Sequence, residues 1–246
     1  MRMSKPIPTE LSRTYEWKGP TGPFLLSLAP GVFAPTHTSR VLAEALEIRP
    51  GETVFDVGCG TGILSFVAAR MGAQRVYGTD IVPEAVALAR DNAYRLGLSG
   101  STEFRAGNLF DPFPGVVSDV IIGDVSGIPD ELAAESGWFP GGYAGGPTGA
   151  EVPVAMIEAS AERLVPGGRM YLPTGTIQWE ERVLEAARRV FGAANLERVL
   201  QREFPLPRLL AKSKALGRLM ADGFVTLRER GSRLLWRLAI WRCVRR

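Results

Sequence analysis

Side chains suited to disulfides and transition-metal sites are nearly missing: 246 residues hold two cysteines and one histidine. Cys59 and Cys243 cannot build a disulfide framework and lack metal-ligand spacing, so no metal site is expected. Cys59 reads instead as a small residue in a tight turn. Long apolar runs are also lacking. The opening MRMSKPIPTE has no apolar stretch of the kind a signal peptide needs, and the late LLWRLAIW is too short to cross a bilayer and carries Arg237. A cytoplasmic location with no membrane partner is the expectation.

What is present suits an ordinary globular core: 46% hydrophobic and 22% charged residues. One domain is expected, with an arm over residues 1–37, an α/β core over 38–206, and a basic helix and hairpin over 207–246. The net charge of +3 conceals an asymmetry. Residues 198–246 carry thirteen Lys and Arg against three Asp and Glu, so the body before them is acidic. A solvated surface is favoured for this tail over a nucleic-acid site, although an RNA or acidic-peptide partner fits the same charge.

Strands and helices alternate along the chain. THTSRVLAEALEI has the helical spacing of Val41, Leu42, Ala45 and Leu46 behind Thr and Ser cap residues. TVFDV, RVYGTD, TEFRA, SDVIIG, RMYLP and LERVLQREF read as strands. Helices are expected between them, one of them stopped by PGG at 166–168. This alternation implies right-handed crossovers and a mainly parallel sheet covered on both faces. Two further strands around RGS would close the chain as an antiparallel hairpin at one edge. Leu234, Trp236, Leu238 and Ile240 alternate as the buried face of one of them.

The stretch VFDVGCGTG at 54–62 falls where such sheets bind ligands, at the carboxyl end of a strand and the start of a helix. Glycines there permit a sharp turn and a close ligand, and the free N–H groups of the helix attract negative charge. A dinucleotide fingerprint needs a third glycine at 63, where this chain has Ile; its glycines fall at 58, 60 and 62. Asp56 would repel a pyrophosphate but suits an ammonium group. Asp80, closing the next strand, stands where acids meet ribose hydroxyls.

The segment from VFDVGCGTG through RVYGTDIVPEAVALARDNAYRLGL resembles the cofactor-binding half of class I S-adenosylmethionine-dependent methyltransferases. That resemblance implies a Rossmann-like, seven-stranded, mainly parallel sheet. It also implies S-adenosylmethionine as cofactor. Asp56 and the loop Gly58, Cys59, Gly60 and Gly62 would hold the methionine part and Asp80 the ribose. Ile81, Asn108 and Leu109 would lie at the adenine. Each has a plainer alternative: Asp80 as a helix cap, Asn108 as a turn former, Ile81 as core.

LAPGVFAPTHTSRVLAEALEI, with GGPTG and PGGRMYLPTGTIQ, is most like the group that methylates ribosomal proteins and release factors. Two departures limit that likeness. The Asn-Pro-Pro-Tyr motif of the release-factor enzymes is replaced by GDVSG at 123–127, and about forty residues before the core leave little room for a separate recognition domain. Asp124 is expected beside the emerging methyl and close to the cofactor. There it orients an amine or takes its proton, or else caps the following turn. His37 is a second candidate base. Phe33, Ser126, Trp138, Phe139 and Tyr143 would form the acceptor pocket, the last three on a long glycine-rich loop. The function expected is N-methylation of a protein, peptide or amine-bearing small molecule. Natural-product O-methylation is one alternative, and a non-catalytic adenosine-ligand or RNA-binding module is another.

Overall fold

The computed structural model describes residues 13–136 and 143–246. Trp138 and Phe139, expected in the acceptor pocket, lie outside the described residues. The chain opens with a hairpin, β1 (Arg13–Trp17) against β2 (Phe24–Leu28), followed by helix α1 (His37–Ala45). Then come β3 (Thr53–Val57), α2 (Ile63–Arg70), β4 (Arg75–Asp80), α3 (Pro83–Arg95), β5 (Thr102–Ala106), β6 (Ser118–Gly123), α4 (Asp130–Ser136) and α5 (Glu151–Ser160). The remainder is β7 (Leu164–Gly175), α6 (Glu180–Phe191), β8 (Leu196–Pro205), α7 (Lys214–Ala221), β9 (Arg228–Arg230) and β10 (Arg233–Val244).

The sheet runs β5-β4-β3-β6-β7-β10-β8, with β9 added along part of β10. Strands β3 to β7 pair in parallel; β10 is antiparallel to both neighbours. This is the expected α/β class: helices cover both faces, and neighbouring residues of one strand enter opposite cores. Val54 joins Leu42, Phe66, Val67 and Ile122 on one side. Phe55 joins Phe110, Ile121, Ile157 and Val183 on the other.

Local chemistry sets the helix that matters most to the site. Thr36 caps α1: its side-chain oxygen accepts from the Thr38 N–H at 3.2 Å, and its own N–H donates to Ser39 Oγ at 3.4 Å. This capping box satisfies backbone donors at the helix start and fixes the Ser39 rotamer.

Three expectations are corrected. The N-terminal segment is no mere arm but a hairpin, with Trp17 and Leu26 fully buried and Ser27 held at both its N–H and its carbonyl by the side chain of Asn92. The PGG at 166–168 does not end a helix ahead of a strand at 169. It is a bulge inside β7, where the pairing with β6 shifts between Ser118 and Val120. The last strand, β10, lies inside the sheet with β8 outside it, so Leu235, Leu238, Ala239 and Ile240 are all buried. Burial on both faces replaces the simple alternation read from the sequence.

Five of the thirteen basic residues of the tail are matched by acids. Arg202 pairs with Glu44, Arg218 with Glu131, Arg228 with Glu203, Arg237 with Glu180, and Arg242 with Glu47 and Glu197. Exposed pairs of this kind contribute about 0–1 kcal/mol each, so they spread charge more than they hold the fold together.

Candidate active site

At the end of β3 the chain turns through Gly58, Gly60 and Gly62, at φ of 80°, 50° and 87°. These are left-handed conformations that side-chain-bearing residues resist. The turn is pinned to β4. Gly58 and Cys59 donate their N–H groups to the Thr79 carbonyl at 2.8 and 2.9 Å, and Gly60 donates to Asp80 Oδ2 at 2.8 Å. The other Asp80 oxygen accepts from the Val82 N–H at 2.9 Å, as a cap for the turn into α3. A Cβ on Gly58 would stand 2.8 Å from the Asp124 carbonyl, and one on Gly60 would stand 3.7 Å from that of Phe33. The loop after β6 and the segment before α1 therefore close on the glycine turn.

Three carboxylates occupy the tips of adjacent strands. Asp56 is fully buried; its Oδ2 accepts from Ser65 Oγ at 2.6 Å and its Oδ1 has no partner. Burial, helped by the nearby charges of Asp124 and Asp80, raises its pKa to about 7. Asp124 is half-buried, accepts from Ser39 Oγ at 3.2 Å, and is raised by burial to about 6. Asp80 is also raised by burial, against the N–H groups of Val82 and Gly60. Among the described residues none of the three pairs with a lysine or arginine. Crowded acids with no cation of their own form a site for a ligand carrying positive charge.

The other predicted residues divide. Ile81 follows Asp80 and is 49% exposed, so it is a lip residue and not core. The Gly107 N–H donates to the Asp80 carbonyl at 2.9 Å, which brings Asn108, exposed, and Leu109, at φ 42°, to the same edge. Cys59 is buried and its thiol is pushed well above its usual range by burial, so it is not a nucleophile. Phe33 and Tyr143 are partly exposed, while Ser126 Oγ is buried without a partner. His37 turns its ring onto Phe204, stacked at 4.8 Å. It is Ser39, two residues on, that reaches Asp124. Ser39 and Ser65 were legible only as cap or helix residues, because Asp124 lies 85 residues from Ser39 and the contact of Ser65 with Asp56 forms only when α2 packs back on β3. Among the described residues no cluster of His, Cys, Asp or Glu is placed to hold a metal. A depression of about 380 Å³ lined by Arg49, Arg169, Asn195 and Arg242 lies toward the opposite end of β7, away from these acids.

If Asp80 meets ribose hydroxyls, Asp80→Ala should weaken cofactor binding by roughly 1.5–3 kcal/mol, since charged hydrogen bonds are poorly replaced by water. Calorimetry on the folded variant reads this directly. An unchanged affinity would remove Asp80 from the site.

The strand order, the antiparallel strand inserted beside β7, and a glycine turn flanked by acids at the ends of β3 and β4 define the class I methyltransferase fold. In fold and sequence the chain is similar to the class I S-adenosylmethionine-dependent methyltransferases, and among them to the ribosomal-protein and release-factor group. Residues 26–139 match the family model Ribosomal protein L11 methyltransferase (PrmA). The ribosomal protein L11 methyltransferase of Pelotomaculum thermopropionicum is 34% identical over 155 residues, 61% of this chain and 49% of that protein. The release factor glutamine methyltransferase of Moorella thermoacetica is 30% identical over 186 residues, 70% of this chain and 64% of that one. The chain thus spans about half the length of the L11 methyltransferase it matches. Among solved structures, the T. thermophilus 16S rRNA N2 G1207 methyltransferase, in complex with AdoMet and guanosine, aligns with a TM-score of 0.65 at 19% identity over 100% of this chain and 53% of that one. At that identity the likeness shows the fold. The sequence relatives give no support to natural-product O-methylation.

Proposed function

We propose that this chain is a single-domain cytoplasmic enzyme that transfers a methyl group from S-adenosylmethionine to a nitrogen atom of a protein. The observation carrying the proposal is the set of three carboxylates, Asp56, Asp80 and Asp124, unpaired with any basic side chain around the glycine turn. The cofactor's chemistry fits this set. Its ammonium and sulfonium charges meet the acids, and the orphaned Oδ1 of Asp56 gains a positive neighbour. Asp80 would hold the ribose, with Ile81, Asn108 and Leu109 at the adenine, while Gly58, Cys59, Gly60 and Gly62 would give the backbone room beside the methionine part.

The sulfonium supplies an already activated methyl, so the protein's part is to orient the acceptor and keep the pocket dry. Asp124 sits next to the glycine turn and is held by Ser39. As a carboxylate it orients an amine, and it can take the proton the nitrogen must lose. His37 is engaged with Phe204 and takes the lesser role in this reading. Phe33, Ser126 and Tyr143 would border the acceptor, and Trp138 and Phe139 are assigned with them from the sequence. The relatives' names favour a protein acceptor over a small molecule or nucleic acid.

The test uses methyl-labelled cofactor with purified ribosomal protein L11 and, separately, with a cell extract. Label is expected in protein. Label confined to RNA or to small molecules would overturn the acceptor class. No transfer to any fraction would overturn the enzymatic reading.

A further inference from the structure

Against the loop that follows Asp124 lies a polar group that nothing among the described residues satisfies. Gln178, in the turn after β7, is 5% exposed, and its Nε2 is buried without a hydrogen-bond partner. It packs on the loop after β6. A Cβ on Gly127 would fall 2.0 Å from Gln178 Oε1, and one on Gly149 would fall 3.0 Å from Gln178 Cβ and 2.6 Å from the Gly127 carbonyl. One residue before Gly127, Ser126 Oγ is also buried and unpartnered.

The nearby polar side chains Thr148 and Glu151 are engaged with other partners. Thr148 Oγ1 donates to Glu151 at 2.8 Å, Glu151 pairs with Arg182, and the Thr148 carbonyl accepts from the Trp179 N–H at 3.0 Å. A methionine or leucine would fill the Gln178 position without burying an unpaired amide. Two orphaned polar side chains therefore flank one glycine, within three residues of Asp124 along one loop, at the carboxyl ends of β6 and β7. Orphans gathered in one place are polar groups that a bound ligand can satisfy.

We propose that Gln178, assisted by Ser126, orients the methyl acceptor by donating from its amide to an acceptor oxygen near the methylated nitrogen. The acceptor is then an amino-acid or peptide unit, with a carbonyl oxygen close to its amine, and not a bare alkylamine. This rests on the methyl-transfer reading above. Asp124 takes the amine and Gln178 the oxygen, a two-point grip that fixes the nitrogen's direction toward the methyl. Both orphaned atoms are closed from water in this conformation, so acceptor entry has to lift the 124–128 loop away from Gln178. Gln178 is a specificity residue in this account, and Ser126 supplies the second hydrogen bond.

The test compares wild type with Gln178→Met and Gln178→Glu. Methyl-labelled cofactor and increasing amounts of extract protein serve as substrates, alongside calorimetry with S-adenosylhomocysteine and thermal melting. For Gln178→Met the half-saturating protein concentration should rise at least tenfold, the maximal rate should fall less, and cofactor affinity should not change. The melting temperature of the free protein should rise, because an unpaired donor is gone from the interior. Gln178→Glu keeps the shape and, assayed at about pH 9 where its carboxyl is ionised, lacks the donor; it should show the same rise in half-saturation there, so a folding defect in one variant does not spare the proposal. Unchanged half-saturation in a variant that binds the cofactor would overturn the role of Gln178 and leave the methyl-transfer reading standing. Failure of the wild type to label any fraction would overturn both.

Discussion

Asp124→Asn should lower methyl transfer by about 10²-fold or more, with a much smaller loss of cofactor affinity because Asp56 and Asp80 remain. Asparagine keeps the shape and can still bond Ser39, so the loop stays in place. What is lost is the negative charge and the capacity to take a proton. Burial raises Asp124 to about 6. The wild-type kcat/KM should therefore climb with pH through about 6 as the carboxylate forms, and the variant should lack that climb. Stability moves the other way. An acid whose pKa is raised on folding stabilises fully below its unfolded value, about 4, and that contribution is lost as pH rises through the folded value. The free variant should therefore melt at or above wild type near pH 8, and the gap should close toward pH 4. A turn-capping role alone predicts a different pattern: about 1 kcal/mol of lost stability with turnover hardly moved.

Phe55→Ala should cost about 3–5 kcal/mol, a large share of the roughly 5–15 kcal/mol that holds a typical domain folded. Phe55 is fully buried in β3, one residue before Asp56. Its ring meets Phe110 edge-on at 5.0 Å and Phe113 at 5.7 Å, with Tyr77 tilted at 6.4 Å. Truncation leaves a cavity under the strand that carries the glycine turn, and those rings cannot collapse into it without moving Phe110, the residue after Leu109. Chemical denaturation measures the loss. A cost under 1 kcal/mol would mean that this side of the sheet is far less tightly packed than the structure describes.

How much of this was legible depended on how local the cause was. The parallel strands could be read because each announces itself by a short apolar run between glycine-marked turns, and the glycine turn with Asp56 and Asp80 because both acids end strands. The N-terminal hairpin was not. Its strands have five residues each, and the Asn92 side chain that grips Ser27 lies 65 residues away. The bulge at 166–168 looked like a terminator because proline and glycine usually are. Here the Gly167 N–H and the Gly168 carbonyl instead find the backbone of Arg245, the residue after β10, which lets the ladder continue. Ser39 and Gln178 were invisible for the same reason: a hydroxyl's distant partner, or an amide's lack of one, exists only after the chain has folded. His37 shows the converse. Histidine near a helix start drew attention by its chemistry, and the fold spends its ring on Phe204.

The central claim is that the acids around the glycine turn hold S-adenosylmethionine. Titration calorimetry of the wild-type chain with S-adenosylhomocysteine, and in parallel with NAD, tests it most directly. Saturable one-to-one binding of S-adenosylhomocysteine, weakened in Asp80→Ala, with no heat from NAD, is the predicted result; binding of NAD in its place, or of neither, would contradict it.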